Sequence, residues 1–428
     1  MTNFHSGTTN KKLLALTISL ILMGCNTGTN DTAATGHEPE HGHNEASLPG
    51  RLMISDADSA SVHVLNTEDL ALVEQISVQN PISDLHVSPS FRYALAVQKQ
   101  QGIVQVIDGG VWSEPHGDHS HDYTKTPVLL SGEFNEVTPS QFKIEGNKAT
   151  LFYEGDETSG VSAQFKVLSD DSLGKGQELA HFAFPYSLQG IAQIWGDYVF
   201  TGVKGEGSTS QVPDRIGVLS SHNDHFHYEG MFEVTCPELA DSALNSQKDV
   251  MFACADGVVV IQDGGDHFAS KKITNPASIT AGERIETILS SAKSTTALGL
   301  TASKQVFRIT PETDVLTELN WRTNAEQNAL AISMTEDTFA LLNTDGTLLT
   351  FDVNHDFNKV ADIKIWDEKV TLTGTQKIEM AFDPKTKLLY ISNPANKTLV
   401  EVNMAQHKVN RVIDLAFTPS DLVWVGIN

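Results

Sequence analysis

The chain is poor in cysteine, with three in 428 residues, at positions 25, 236 and 254. That excludes a disulfide-dense secreted scaffold and a multi-cysteine zinc module. Positive charge is also scarce: 29 Lys and Arg stand against 54 Asp and Glu, for a net charge of −25. No basic run interleaved with aromatics interrupts this acidity, so nucleic acid is excluded as a partner and cations are favoured. The five tryptophans are scattered and do not recur at a fixed period, which argues against repeated docking motifs for a bound quinone. No G-x-S-x-G turn, H-E-x-x-H helix or phosphate-binding loop is present, so no common hydrolase or nucleotide signature supports an enzyme. Long helical periodicity is missing from Arg51 onward. The one long apolar run, "LLALTISLILM", is too short to span a bilayer as a permanent helix.

That run follows Lys11 and Lys12 and ends in "LMGC" at Leu22 to Cys25. The layout is that of a secretory signal over residues 1–24. Gly24 before Cys25 resembles a bacterial lipobox, in which the cysteine is lipidated and becomes the mature N-terminus. The expectation is a protein held to a membrane by lipid, with its body in the periplasm. Asn26, in place of the Asp that commonly marks inner-membrane retention, favours the outer membrane. Residues 25–50 carry almost no large apolar side chain and read as a flexible tether. Within it His37, His41 and His43 alternate with Glu38, Glu40 and Glu45. This stretch reads equally as a loose ion trap and as a solvated linker. In an oxidising compartment Cys236 and Cys254 most simply form one disulfide, since a cysteine zinc site wants more thiols or tighter spacing.

From 51 to 428 short runs of Val, Ile, Leu and Phe alternate with polar residues between Gly, Asn, Asp and Pro punctuation. "SDLHVSPSFRYALAVQKQQGIVQVIDGG" has a counterpart in "IEMAFDPKTKLLYISNPANKTLVEVNMAQ", each reading strand, turn, strand, turn, strand. Unit starts fall near 83, 140, 187, 241, 284, 328, 377 and 420, a spacing of roughly 43 to 58 residues that suits four-stranded propeller blades. Pro81, Pro139, Pro185, Pro237 and Pro419 introduce units, at points where a missing N–H costs little. The last unit offers one strand and the segment after the tether offers three, so the two ends complete one blade. The reading is an all-β propeller of eight blades, with seven as the alternative.

The histidines then acquire positions. "HGDHSHDY" lies between the third and fourth strands of the second unit, and "HNDHFH" lies in the same connection of the fourth. Both fit H-x-D-H-x-H: His116, His119 and His121 in one, His222, His225 and His227 in the other. His267, His355 and His407 sit in equivalent hairpins and read as ordinary turn residues. Three imidazole nitrogens with a carboxylate or water fill a zinc tetrahedron, although copper and nickel also suit imidazole. Asp118 or Asp122 can supply an oxygen or orient a ring. The first group reads as a metal site in a long flexible loop, whereas the second stays open between metal group and polar turn. His63 and His86 read as strand residues, and His181 as a residue able to face a central channel.

"VIDGGVWSEPHGDHSHDY", "FYEGD", "CPELADSALNSQKDVMFACADGVVV" and the closing "VIDLAFTPSDLVWVG" together resemble the periplasmic zinc metallochaperone family AztD. The resemblance covers most of 51–428. It implies a propeller that binds Zn²⁺ and passes it to the solute-binding protein of a zinc ABC transporter, without catalysis. It departs from the family at two inner strands, where "PYSLQGIAQI" and "CPELADSAL" place Gln189 and Ala240 at positions of expected channel histidines. The implied role for this chain is therefore metal binding moved to the loops and the tether. A propeller serving only as an interaction platform in envelope assembly is the alternative.

The lipid anchor has its own test. Replacing Cys25 by alanine should move the protein from the membrane fraction to the soluble fraction and abolish labelling by a radioactive fatty acid. An unchanged membrane fraction would remove the anchor.

Overall fold

A computed structural model describes residues 48–428 apart from 223–224, 266 and 324–326. Residues 1–24, read from sequence as a signal, Cys25, and His37, His41 and His43 of the expected tether lie outside the described residues. The chain forms eight four-stranded antiparallel sheets arranged as blades of a propeller, plus one separate two-stranded sheet. The first strands of the blades contact one another around the ring and so line its centre. In order from the closing blade they are Pro419–Val425, Asp84–Val87, Pro139–Glu145, Ala192–Trp195, Asp241–Leu244, Thr287–Leu289, Ala329–Met334 and Met380–Asp383. The unit starts read from sequence fall within a few residues of these, and eight blades, not seven, is the count.

The first blade is made from both ends of the chain. Arg51–Asp56 pairs antiparallel with Pro419–Val425 in the register Arg51↔Val425, Met53↔Val423 and Asp56↔Pro419. Side chains reinforce the seam: Ser55 Oγ donates to Asp421 Oδ2 at 2.9 Å, and Thr418 Oγ1 to Asp58 Oδ2 at 2.7 Å.

Why the middle strands read as continuous apolar runs follows from the ring. Each blade is covered on both faces by neighbours, so alternate side chains go to different cores. In "RLMISD", Leu52 and Ile54 pack with Tyr390, Leu399 and Trp424 toward the eighth blade. Met53 points the other way, to Leu85, Ala94, Ala96 and Ile107 of the second. The outermost strands are half-solvated and alternate instead: "KVNRVID" at Lys408–Asp414 is exposed at every second residue.

Antiparallel order also sorts the turns by face. In each blade the connections from first to second strand and from third to fourth strand emerge on one side of the ring. Those from second to third strand, and from blade to blade, emerge on the other. The histidine-bearing connections are all of the third-to-fourth type, and the chain enters the propeller at Arg51 on that same side. Cys236 and Cys254 form a buried disulfide on the opposite side, tying the connection into the fifth blade to the end of its strand Val250–Cys254.

Removing this bridge with C236S/C254S frees a closed loop of 18 residues. The chain-entropy contribution of a loop of that size is about 3 kcal/mol. Denaturant unfolding should show a loss of that order with the propeller still formed. An unchanged midpoint would mean that the bridge constrains nothing that the fifth blade does not already hold.

Candidate metal centre

The expected flexible loop after "VIDGG" is instead an ordered hairpin. Val111–His116 pairs with His119–Thr124 as a two-stranded sheet, inserted between Ile103–Asp108 and Val128–Asn135 of the second blade. The alternating sequence "VWSEPHGDHSHDYT" explains why: it has strand periodicity on both sides of a two-residue Gly-Asp turn. Gly117 adopts φ 66°, a conformation that glycine accepts without penalty.

The register decides which side chains meet. His116 lies opposite His119, Glu114 opposite His121, and Trp112 opposite Tyr123. Directly paired residues share a face, so all three histidines project on one side of the hairpin. Among the described residues these three form a group in which each side chain offers a ligand atom, all within 4.8 Å of one another. His119 Nε2 and His121 Nε2 are 3.1 Å apart. Two ligands on a tetrahedral zinc, each about 2.05 Å from the ion, lie about 3.3 Å apart, so this pair already has the spacing of neighbouring ligands. The His116 ring is 5.4 Å and 5.5 Å from the other two, close enough to reach the same point by side-chain rotation.

The two aspartates part company. Asp118 Oδ1 is 3.1 Å from His119 Nδ1, and this hydrogen bond holds its carboxyl below the usual range. With Nδ1–H donating to Asp118, the Nε2 of His119 is free to accept, which is the tautomer that a metal requires. Asp122 sits opposite Ser113 on the other face of the hairpin and is not one of the grouped residues. The carboxylate that shares the histidine face is Glu114, across from His121, and its Oε1 accepts from Trp112 Nε1 at 2.8 Å. Sequence spacing alone missed Glu114, because it is close only through the strand pairing.

The base of the hairpin is fixed while its tip is exposed. Trp112 stacks on Tyr123 at 5.2 Å, with the Arg92 guanidinium 4.2 Å from the indole centroid. Arg92 is itself paired to Asp108 at 2.9 Å. Arg51 donates to the Gly109 carbonyl and, at 3.2 Å, to Thr124 Oγ1, joining the start of the propeller to the foot of the hairpin. Beside it opens a groove of about 670 Å³ lined by Ser90, Glu114, Asp170 and Asp171. It adjoins a cavity of about 790 Å³ at the channel mouth, where Glu336 and Asp337 lie. Acidic groups thus run from the hairpin foot toward the central channel.

The second motif has the same form. Arg215–His222 and His225–Met231 pair with His222 opposite His225 and Ser220 opposite His227. His355 sits 2.8 Å from Asp352, and His407 occupies a tight turn with φ 52°. His181 does not face the channel: it lies on Ala180–Ala183, the outermost strand of the third blade, 2.7 Å from Glu178. That strand follows the short helix Asp170–Gly174 and is the fourth of its blade, which puts it at the edge of the sheet. His63 is buried against Phe417 at 3.7 Å.

In the channel the histidine is His86, on the inner strand Asp84–Val87 and stacked on Phe142 at 5.0 Å. Its Nε2 is buried without a partner. The acids around it are partly countered by lysines: Lys377 lies 2.6 Å from Asp421 and 3.1 Å from Glu379, Lys143 lies 2.5 Å from Asp241, and Asp84 adds a fourth carboxylate. Gln189 is exposed and donates its backbone N–H to Gln211, and Ala240 has no ligand atom in its side chain. Among the described residues the channel wall thus offers one imidazole among four carboxylates and two lysines, whereas the hairpin groups three imidazoles.

No family model matches the chain. In sequence it is 23% identical over 254 residues to the zinc chaperone AztD of Citrobacter koseri, an alignment covering 59% of this chain. That alignment spans about half of the relative, 54% of its length. Two solved structures of Citrobacter koseri AztD, one of them apo, match with a TM-score of 0.72 at 18% identity. They cover 89% and 88% of this chain and 98% of their own. The chain is thus a distant relative in sequence and shares the fold over nearly its whole propeller. The dihydro-heme d1 dehydrogenase NirN also matches, with a TM-score of 0.53, 10% identity, and coverage of 89% of this chain and 76% of its own. Fold alone therefore does not choose a function.

The His86 imidazole is held below its ordinary value, chiefly by burial, with Asp84 and Asp421 opposing and Lys377 and Lys143 adding to the shift. An unfolded histidine takes up a proton near pH 6.5, and the folded one only at lower pH. Stability from this residue is thus complete above about pH 6.5 and is lost as pH falls below it. His86→Phe, which keeps the stack on Phe142, should flatten the decline in denaturant midpoint between about pH 6.5 and 5. An equally steep decline in the variant would exclude His86 as its source.

Proposed function

We propose that this chain is a zinc-binding carrier that works outside the cytoplasm, taking Zn²⁺ on the His116, His119 and His121 hairpin and passing it to an acceptor protein. The observation that carries the reading is the grouping of three imidazoles on one hairpin face, two of them already at ligand spacing. The likeness to a protein named as a zinc chaperone supports the choice of metal. By the same likeness, the proposed acceptor is the solute-binding protein of a zinc ABC transporter.

The chemistry follows from the exposure of the site. Three histidines at a hairpin tip leave at least one coordination position open to water or to an incoming ligand. An acceptor can therefore enter by ligand exchange, replacing the tip histidines one at a time, and no covalent bond in either protein is broken. Asp118 keeps His119 in the ligating tautomer, and Glu114 stands on the same face as a further oxygen. The tether extends this scheme. Arg51 touches the hairpin foot, and His43 lies only eight positions upstream, within about 28 Å of extended chain. His37, His41 and His43 are then further ligands able to collect an ion for the hairpin or draw one away. With Cys25 lipidated, all of this takes place at a membrane surface.

Calorimetric titration with zinc compares the full-length chain with H116A/H119A/H121A. The expected result is the loss of one binding equivalent, with the thermal unfolding of the metal-free proteins unchanged because the three side chains are exposed. Equal stoichiometry and affinity in the two proteins would overturn the hairpin as the site. Absence of zinc binding in both would favour an interaction platform over a carrier.

A further inference from the structure

The fourth blade carries a second hairpin whose residues repeat those of the first. His222 pairs directly with His225 at the end of the ladder, and His227 follows two residues later. By strand alternation the three project on one face, as do His116, His119 and His121. His225 Nε2 and His227 Nε2 are 3.1 Å apart, the same separation as in the first hairpin. The His222 ring is 4.6 Å from that of His227 and 6.2 Å from that of His225. The group is slightly wider than the first, by an amount that rotation of an exposed imidazole closes.

Two further features separate this hairpin from a polar turn. Phe226, between the histidines in sequence, points to the opposite side and packs on Phe165 of the third blade at 5.4 Å. One face is therefore anchored, so the histidine face is held in a fixed direction. Glu229 is the unpaired residue of a bulge two positions beyond His227, and its carboxylate reaches across to accept from Ser220 Oγ. Ser220 is itself the residue opposite His227. In the first hairpin the corresponding carboxylate is Glu114, reached from the facing strand and held by Trp112. Both hairpins thus set a tethered carboxylate behind three imidazoles, by different routes. A turn that was merely polar has no need of that arrangement twice.

We propose that His222, His225 and His227, with Glu229 behind them, form a second zinc site that loads independently of the first. It shares with the proposed function the reading of a three-histidine hairpin as a ligand set, but its residues, blade and anchoring are separate. A whole blade lies between the two hairpins, so no ligand is shared and neither site needs the other to fill. Both lie on the same side of the ring, so a carrier of this form presents two loaded tips to one surface.

The test uses the full-length chain with His37, His41 and His43 replaced by alanine, so that the tether adds no equivalents. Zinc alone is the probe, with stoichiometry read by native mass spectrometry and affinity by competition with a chromogenic chelator. This parent should bind two zinc ions, H222A/H225A/H227A one, H116A/H119A/H121A one, and the combined variant none. In the H116A/H119A/H121A background, Glu229→Gln should weaken the remaining equivalent roughly ten-fold, the lower end of what a group just outside the ligands contributes. Retention of both equivalents by H222A/H225A/H227A would overturn the second site while leaving the proposed function intact. Failure of H116A/H119A/H121A to bind any zinc would overturn it as well, because the intact second hairpin would then be shown not to bind.

Discussion

The structure depends on one pairing, that of Arg51–Asp56 with Pro419–Val425. Without it the blades form an open arc whose end sheets each lose a covered face. With it every blade is buried on both sides, and the direction of every strand around the ring is set. That direction makes the face of a turn a matter of its place in the blade. Third-to-fourth connections can carry exposed polar side chains without disturbing a core, because they close outside the buried strands. The histidine hairpins use this freedom.

Within that scaffold the chemistry is divided. The channel wall sets Lys377 and Lys143 among the carboxylates of Asp84, Glu379, Asp421 and Asp241, and His86 is enclosed with one unpaired nitrogen. At the rim the hairpin histidines are exposed and lie beside one another. The cost of removing charge from solvent thus falls on the channel and not on the exposed tips.

Much of this was legible in the sequence, for a physical reason in each case. The repeat spacing and the orphan last strand reported the blade number, because a closed ring must place a partner strand at the other end of the chain. Pro139 and Pro419 begin inner strands, as their lack of an N–H allows. The identical spacing of His116, His119 and His121 with His222, His225 and His227 reported two like turns. What could not be read was the pairing across strands. Glu114 became a neighbour of His121, and Asp122 turned away, only once the register was known. His181 lies away from the channel because Ala180–Ala183 is the fourth strand of its blade, and the stack of His86 on Phe142 of the next blade is not visible in "DLHV".

The closing seam also has a consequence in time. Ser55 and Asp421 hold each other across 366 residues of sequence. A chain made from its N-terminus exposes Leu52, Met53 and Ile54 long before their partner strand exists. Until the final residues arrive, seven blades stand as an open stack with an apolar edge at each end, the state in which sheet proteins mispair. Completion of the ring is then a late step with a long search, slow for its topology. Truncation by even one short strand at the C-terminus would leave the molecule permanently in that exposed state, although the hairpins that bear its chemistry lie far upstream.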